Sequence, residues 1–375
     1  MSSAAPQRLP FWALLLDQSA AESQARLIQA GTYSLREREK PWVARQPALY
    51  ERGYSLRPRY VPGWTPSWEG TNRHALYCED SISPLDGQTS NVMDATRRKD
   101  GKLVVIKTTR LQWELDIARY VTSLQDPQNH CVPVIDVFRD SLVPGTVLMV
   151  MPYLRPFNNP PMEKLGELFA FIDQTLEGLS FLHRHRIAHR DICPLNVMMD
   201  AHPLYPGGHH PVRLGSSPDA LYEVKALSRT THPVQYYYID FDCASFFKEE
   251  ESPMVLGDVG QYNKVPELSE TVPYNAFKVD IFSLGNLYFE EFTEVYQHLG
   301  FLDPIVSNMR QQDPTARPQI DDVIDQWKTL RAAGETKSSR NLIRKNETSV
   351  SRIVDGMSNA VMTGLLHVVD RFVYS

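Results

Sequence analysis

The chain has 375 residues, 42% of them hydrophobic and 22% charged, with a formal net charge of −6. That is the balance of a globular protein long enough to split into two lobes, and it carries no basic footprint for nucleic acid. Four cysteines (Cys78, Cys131, Cys193, Cys243) form no C-x-x-C pair, which argues against a zinc site or a disulfide framework and predicts an intracellular, cytoplasmic chain.

Phe11–Leu16 is too short for a membrane span and lacks a basic leader, so neither a signal peptide nor membrane binding is expected. Residues 1–75 read as an N-terminal extension. Phe11–Leu16 with Ala25, Leu27 and Ile28 predicts one helix ended by Gly31. Pro41–Trp68, rich in Pro, Trp and Arg, reads as an irregular strap packing its indole rings, or as a docking segment.

Ile82–Lys107 predicts a small antiparallel sheet with Gly, Asp and Ser at its turns, ending in Leu103-Val104-Val105-Ile106-Lys107. A helix carrying Glu114 follows. Val147–Met151 is an apolar run suited to a buried strand, and Pro152-Tyr153-Leu154-Arg155-Pro156 is a connector. Leu165, Leu168, Phe169, Ile172, Leu176, Leu179 and Leu182 recur at helical spacing up to His185.

That helix delivers the chain to Ile187-Ala188-His189-Arg190-Asp191-Ile192-Cys193-Pro194-Leu195-Asn196. An Asp and an Asn five residues apart present a carboxylate and a carboxamide from one loop. In phosphoryl transfer the first orients a hydroxyl and the second holds a metal that bridges phosphates. Residues 201–234, rich in Pro, Gly and His, then read as a solvated insertion. A metal reading of His202, His209, His210 and His232 fits no ligand spacing.

Tyr236-Tyr237-Tyr238-Ile239-Asp240-Phe241-Asp242 is a β-rich run ending in carboxylates. Val265-Pro266-Glu267, Lys278–Gly285 with Asp280, and Asp313-Pro314-Thr315-Ala316-Arg317-Pro318 follow. Lys337-Ser338-Ser339-Arg340 reads as a linker. A last amphipathic helix is expected from Val350, Ile353, Val354, Met357, Val361, Leu365, Val368, Val369 and Phe372, packing on the protein or on a partner helix.

On these motifs the chain resembles the protein kinase superfamily, whose catalytic loop reads H-R-D-x-x-x-x-N. The pattern A-H-R-D, M-M-D-A, Y-P-G-G-H-H-P-V and V-P-E-L-S looks like a fungal protein kinase-like family. The resemblance implies an α+β, two-lobed kinase-like fold, with a small, mostly antiparallel β N-lobe bearing one helix and a larger, mainly α-helical C-lobe. Its expected spans are 76–154 for the N-lobe with its hinge, 155–335 for the C-lobe and 336–375 for the linker and last helix.

It further implies a Ser/Thr protein kinase that transfers the γ-phosphoryl group of ATP to a protein hydroxyl with Mg²⁺. Asp191 would be the base. Lys107, paired with Glu114, would neutralise phosphates, and Asn196 and Asp240 would hold metal. Met151, Tyr153 and Leu154 would line and hydrogen-bond the adenine pocket. Val92 stands fifteen residues before Lys107, where G-x-G-x-x-G-x-V should end. Of the three glycine positions Leu85, Gly87 and Ser90, only Gly87 can bring backbone close to a phosphate. Asp280 would brace the catalytic loop, and Arg317 would pair with Glu267.

Three departures stand out. Cys193 replaces the lysine two residues after the catalytic Asp, Asp242 replaces the glycine of D-F-G, and the glycine loop is eroded. These open a second reading, a pseudokinase scaffold. A third, a small-molecule phosphotransferase, lacks the Glu267–Arg317 pairing. Lys248-Glu249-Glu250-Glu251 would be either a solvated run or carboxylates standing in for a phosphate on Arg190.

Overall fold

The computed structural model describes residues 9–84, 91–261 and 264–345. Gly87, with Leu85 and Ser90, and the expected helix over 350–372 lie outside them.

The N-terminal residues form two helices rather than one helix and an irregular strap. Asp17 accepts from Ala20 N and starts α1 (Gln18–Gln29), so Phe11–Leu16 stays outside it. Gly31 follows with φ 76°. Pro at the second position of α2 (Lys40–Glu51) is where a missing N–H costs nothing. Next, β1 (Tyr54–Ser55) joins the main sheet, pairing Tyr54 with Arg97 and Ser55 with Thr96. The Trp- and Arg-rich segment is therefore part of the sheet's fabric.

That sheet runs β1-β2-β3-β5-β4, all antiparallel, with β2 (Val92–Arg97), β3 (Leu103–Thr109), β4 (Asp136–Arg139) and β5 (Val147–Pro152). Strand alternation sorts its faces. Met93, Ala95, Val104, Ile106, Leu148 and Val150 pack with Trp42, Leu49 and Tyr60 on one side. Lys107 and Met149 are paired on the other. There α3 (Gln112–Ser123) lies against the sheet, with Leu115 and Ala118 against Met149.

The larger lobe is built round α4 (Leu165–Arg184), whose apolar stripe is almost wholly buried. Glu167 accepts from the Lys164 N–H and so satisfies one orphan donor at its start. Short strands β6 (Arg155–Pro156), β7 (Ile187–Ala188), β8 (Val197–Asp200), β9 (Gln235–Tyr238) and β10 (Ser245–Phe246) frame the loops, and β11 (Met254–Gly257) pairs with β12 (Ser269–Asn275). Asn275 caps α5 (Ala276–Tyr288), which packs on α6 (Asp303–Met309); α7 (Ile320–Gly334) lies against α4. Residues 338–341 are tied to the start of α4, with Ser338 O accepting from Gly166 N, so they do not form a free linker. The two lobes are those of the expected kinase-like architecture. No described helix is long and apolar enough to cross a membrane.

Candidate active site

The catalytic-loop residues are fixed from below by α5. Asp280, fully buried, accepts from His189 N at 2.8 Å, from Arg190 N at 2.7 Å and from His183 Nε2 at 3.0 Å. These bonds hold Arg190 in the left-handed region (φ 64°), a strain tolerated only where the surroundings over-determine the backbone. Asp191 then turns toward the cleft. Asn196 Nδ2 donates to Asp191 O at 2.9 Å and to its Oδ2 at 2.8 Å, and Ile239 N donates to Asn196 O. The loop and the segment that follows β9 and carries Asp240 are thus one hydrogen-bonded unit.

Lys107 reaches this unit from β3. Its Nζ donates to Glu114 Oε1 at 2.5 Å and to Asp240 Oδ1 at 2.6 Å. Glu114 lies only seven residues on, yet it reaches Lys107, because α3 begins at Gln112 and puts the carboxylate in its first turn. Trp113 Nε1 donates to Asp242 O and ties that turn to the segment after Asp240. Burial disfavours the Lys107 ammonium, but Asp240 and Glu114 outweigh it and hold its pKa above the ordinary lysine value.

The strained carboxylate is Asp240, at φ 66°; Asp242 is not among the left-handed residues. Asp242, standing where the resemblance puts a glycine, therefore carries no left-handed strain. Asp242 instead stands in a cluster with Asp191 and Cys243, their ligand atoms within 4.8 Å of one another. Burial raises the pKa of Asp191, and the charge of Asp242 adds to this, against the lowering by hydrogen-bond donors. The Cys193 thiol, pushed up to about 11 mainly by burial, stays neutral and supplies no positive charge.

One contact has no forerunner in the motifs. Gln261 N donates to Asp191 Oδ1 at 2.5 Å, and Gln261 Nε2 lies 3.5 Å from Oδ2. The chain crosses so close that a Cβ on Gly260 (φ 95°) would sit 2.7 Å from Arg190 O. The Gly260-Gln261 pair, seven and six residues before Glu267, is the sequence signal here, and from the sequence it reads as a turn.

Of the expected nucleotide contacts, Val92 faces Lys107 across β2–β3 and is 38% exposed. Met151 is paired with Val105, both half-buried, while Met198 and Ile239 are half-buried from the other lobe. Tyr153 departs from expectation: its N–H is taken by Leu103 O, and its hydroxyl donates to Pro211 O at 2.7 Å. Leu154 is buried in the C-lobe core. A cavity of about 390 Å³ beside the lysine is lined by Asn91, Lys107, Glu114 and Asp242.

For a cation, Asn196 commits its amide N–H to Asp191, which leaves its carbonyl oxygen, with the Asp240 carboxylate, as hard oxygen donors of the kind magnesium takes. The histidines of the insertion divide, with His202 exposed and His232 half-buried. His209 and His210 are buried, and His210 Nδ1 accepts from Val212 N and Arg213 N. No metal group among the described residues includes them. The glutamates after Lys248 do not reach Arg190. Its guanidinium donates to Ser245 Oγ, Leu256 O and Tyr274 OH, all neutral acceptors. Arg317 meets Glu267 in a bidentate pair at 2.5 and 2.8 Å.

A protein kinase domain family model matches residues 86–346. Among curated proteins, the cell division control protein 2 homolog 3 of Trypanosoma brucei brucei is 32% identical over 126 residues. That stretch covers 30% of this chain and 40% of the relative, so the likeness spans less than half of either protein.

Proposed function

The chain belongs to the protein kinase family, and from that premise we propose that it transfers the γ-phosphoryl group of ATP to a Ser or Thr hydroxyl of a protein. The observation that carries this reading is that two hydrogen-bonded groups, Lys107 with Glu114 and Asp240 at 2.5 and 2.6 Å and Asn196 with Asp191 at 2.8 Å, are joined by the Ile239 N–H donated to Asn196 O at 3.0 Å. Lys107, held charged, takes the α and β phosphates. Glu114 fixes its direction. Asp191 orients the attacking hydroxyl and accepts its proton, while Asn196 and Asp240 are the residues that would hold Mg²⁺. The metal would supply charge neutralisation between the phosphate oxygens. Transfer of this kind is mostly positioning and electrostatics, which suits a site whose groups are preorganised by hydrogen bonds.

A second reading, a nucleotide-binding scaffold without catalysis, draws on a specific observation: Asp191 is engaged by Gln261 on one oxygen and by Asn196 on the other. Cys193 also leaves the developing phosphoryl charge without a nearby ammonium. Thermal shift of the full chain with a non-hydrolysable ATP analogue, with and without Mg²⁺, tests the nucleotide site both readings share. A stabilisation that requires Mg²⁺ and vanishes in Asp240→Asn supports it. No stabilisation at millimolar nucleotide defeats it.

A further inference from the structure

We propose that the 201–234 insertion and residues 57–82, the strap that follows α2 and β1, form a clasp behind the hinge that fixes the angle between the lobes. The proposal reaches beyond catalysis and needs no nucleotide to be true.

On the N-lobe side, the strap is anchored to the sheet. Arg57 donates to Asp94 Oδ2 at 2.9 Å and to Ile82 O at 2.6 Å, and Arg59 donates to Asp80 O. On the C-lobe side, the insertion grows from β8 and is held in the large core. Leu204 is fully buried there, Leu227 N donates to Leu204 O, Thr230 Oγ1 donates to Glu167 Oε1, and Arg229 donates to Tyr236 OH.

Between these two anchored pieces run direct bonds. Arg213 Nη1 donates to Leu76 O at 2.8 Å. His210 Nδ1 is an acceptor for two backbone N–H groups, which places the proton on Nε2, aimed at Glu79 Oε1 3.3 Å away. The hinge itself is bound into the same unit. Tyr153 OH donates to Pro211 O, Arg155 Nη1 donates to Leu214 O at 2.9 Å, and the Tyr153 ring packs on His209 at 5.7 Å.

Lobe opening about a hinge works by letting a few connector residues absorb the backbone change. Here those residues have side-chain bonds to one lobe, and that lobe has bonds to the strap of the other. Opening must break the Arg213–Leu76 and His210–Glu79 contacts together and strand partly buried donors, which is costly. The clasp lies around a cavity of about 1020 Å³, lined by Arg57, Glu79, Tyr153, Arg155, His209 and His210. None of Lys107, Asp191, Asn196 or Asp240 lines that cavity, so Arg213→Ala removes a clasp bond without altering any of those four side chains.

The test uses the full chain with Cys243→Ser, spin-labelled at Lys99→Cys and Ser307→Cys, two exposed positions on opposite lobes. Electron–electron distance distributions are recorded with and without Tyr153→Phe and Arg213→Ala. A narrow distribution in the parent that broadens, or gains a longer distance, in the double variant supports the clasp. An unchanged distribution in a double variant that is folded by circular dichroism overturns it. Tyr153→Phe alone, which removes one hydroxyl and no packing volume, serves if the double variant does not fold, and broadening or its absence is read the same way. Where labelled ADP binds, its release rate rises about tenfold on loss of the clasp, the factor expected from about one buried hydrogen bond. A chain that binds no nucleotide leaves the distance measurement standing, so failure of the kinase reading and failure of the clasp are separate results.

Discussion

Replacing Arg317 by Ala strands the Glu267 carboxylate inside the C-lobe. The guanidinium is 2% exposed, bidentate on Glu267, and donates as well to Gln311 O at 2.7 Å and Lys278 O at 2.9 Å. Breaking a buried pair from one side costs about 3–5 kcal/mol, because the remaining charge stays desolvated. The two carbonyls that lose their donor add roughly 1 kcal/mol each. A loss of about 5–7 kcal/mol is a large part of the roughly 5–15 kcal/mol that holds a typical domain. Urea unfolding followed by tryptophan fluorescence measures it by linear extrapolation. Lys328→Ala is the control, since its partner Asp325 and Lys328 itself are mostly exposed and such pairs give about 0–1 kcal/mol. Arg317→Ala matching that control would refute the idea that the pair is a buried structural tie.

Three other outcomes follow from the same coordinates. Gly285→Ala should destabilise by about 1–3 kcal/mol, as overpacking does, because its Cβ would lie 2.6 Å from Met309 Cβ where α5 meets α6; a midpoint of urea unfolding equal to the parent's would count against that packing. Asp140 has its pKa held below the usual carboxylate range: burial opposes this, but the Arg45 guanidinium, 2.6 Å away, wins. A depressed folded-state pKa adds stability that is present above the unfolded value of about 3.9 and lost as pH falls below it, so Asp140→Asn should be less stable at neutral pH and should lose less on acidification to pH 3. Parallel acid-unfolding curves would contradict this. Asp242→Gly removes a negative charge that raises the Asp191 pKa, so, with Asp191 in its proposed role, the acid limb of the rate–pH profile should move to lower pH; an unmoved limb would show that Asp242 does not bear on Asp191.

The site was legible where chemistry demands residue types at fixed spacing. Asp191 and Asn196 share one short loop, and Asp240 closes the β-rich run that begins at Tyr236, whereas Lys107 in its apolar strand gains meaning only beside them. Glu267 and Arg317 are legible as a pair only through the resemblance, whose V-P-E and D-P-x-x-R-P patterns mark them for each other. What local pattern could not show was the path of the chain between motifs. Nothing in Tyr54-Ser55 announces an edge strand, because a two-residue strand has no alternation to read. The insertion looked solvated because Pro and Gly favour turns and His is polar, yet His209 and His210 are buried by their partners in the strap and hinge. Gln261 reaches Asp191 through its backbone N–H, which every residue but proline carries and no motif can mark.

The most direct measurement is phosphate incorporation from γ-labelled ATP by purified chain, into itself or a generic protein substrate, beside Asp191→Ala and Lys107→Met. The account predicts Mg²⁺-dependent incorporation on Ser or Thr that both substitutions abolish. Binding of ATP with no incorporation, or incorporation that survives Asp191→Ala, would contradict it.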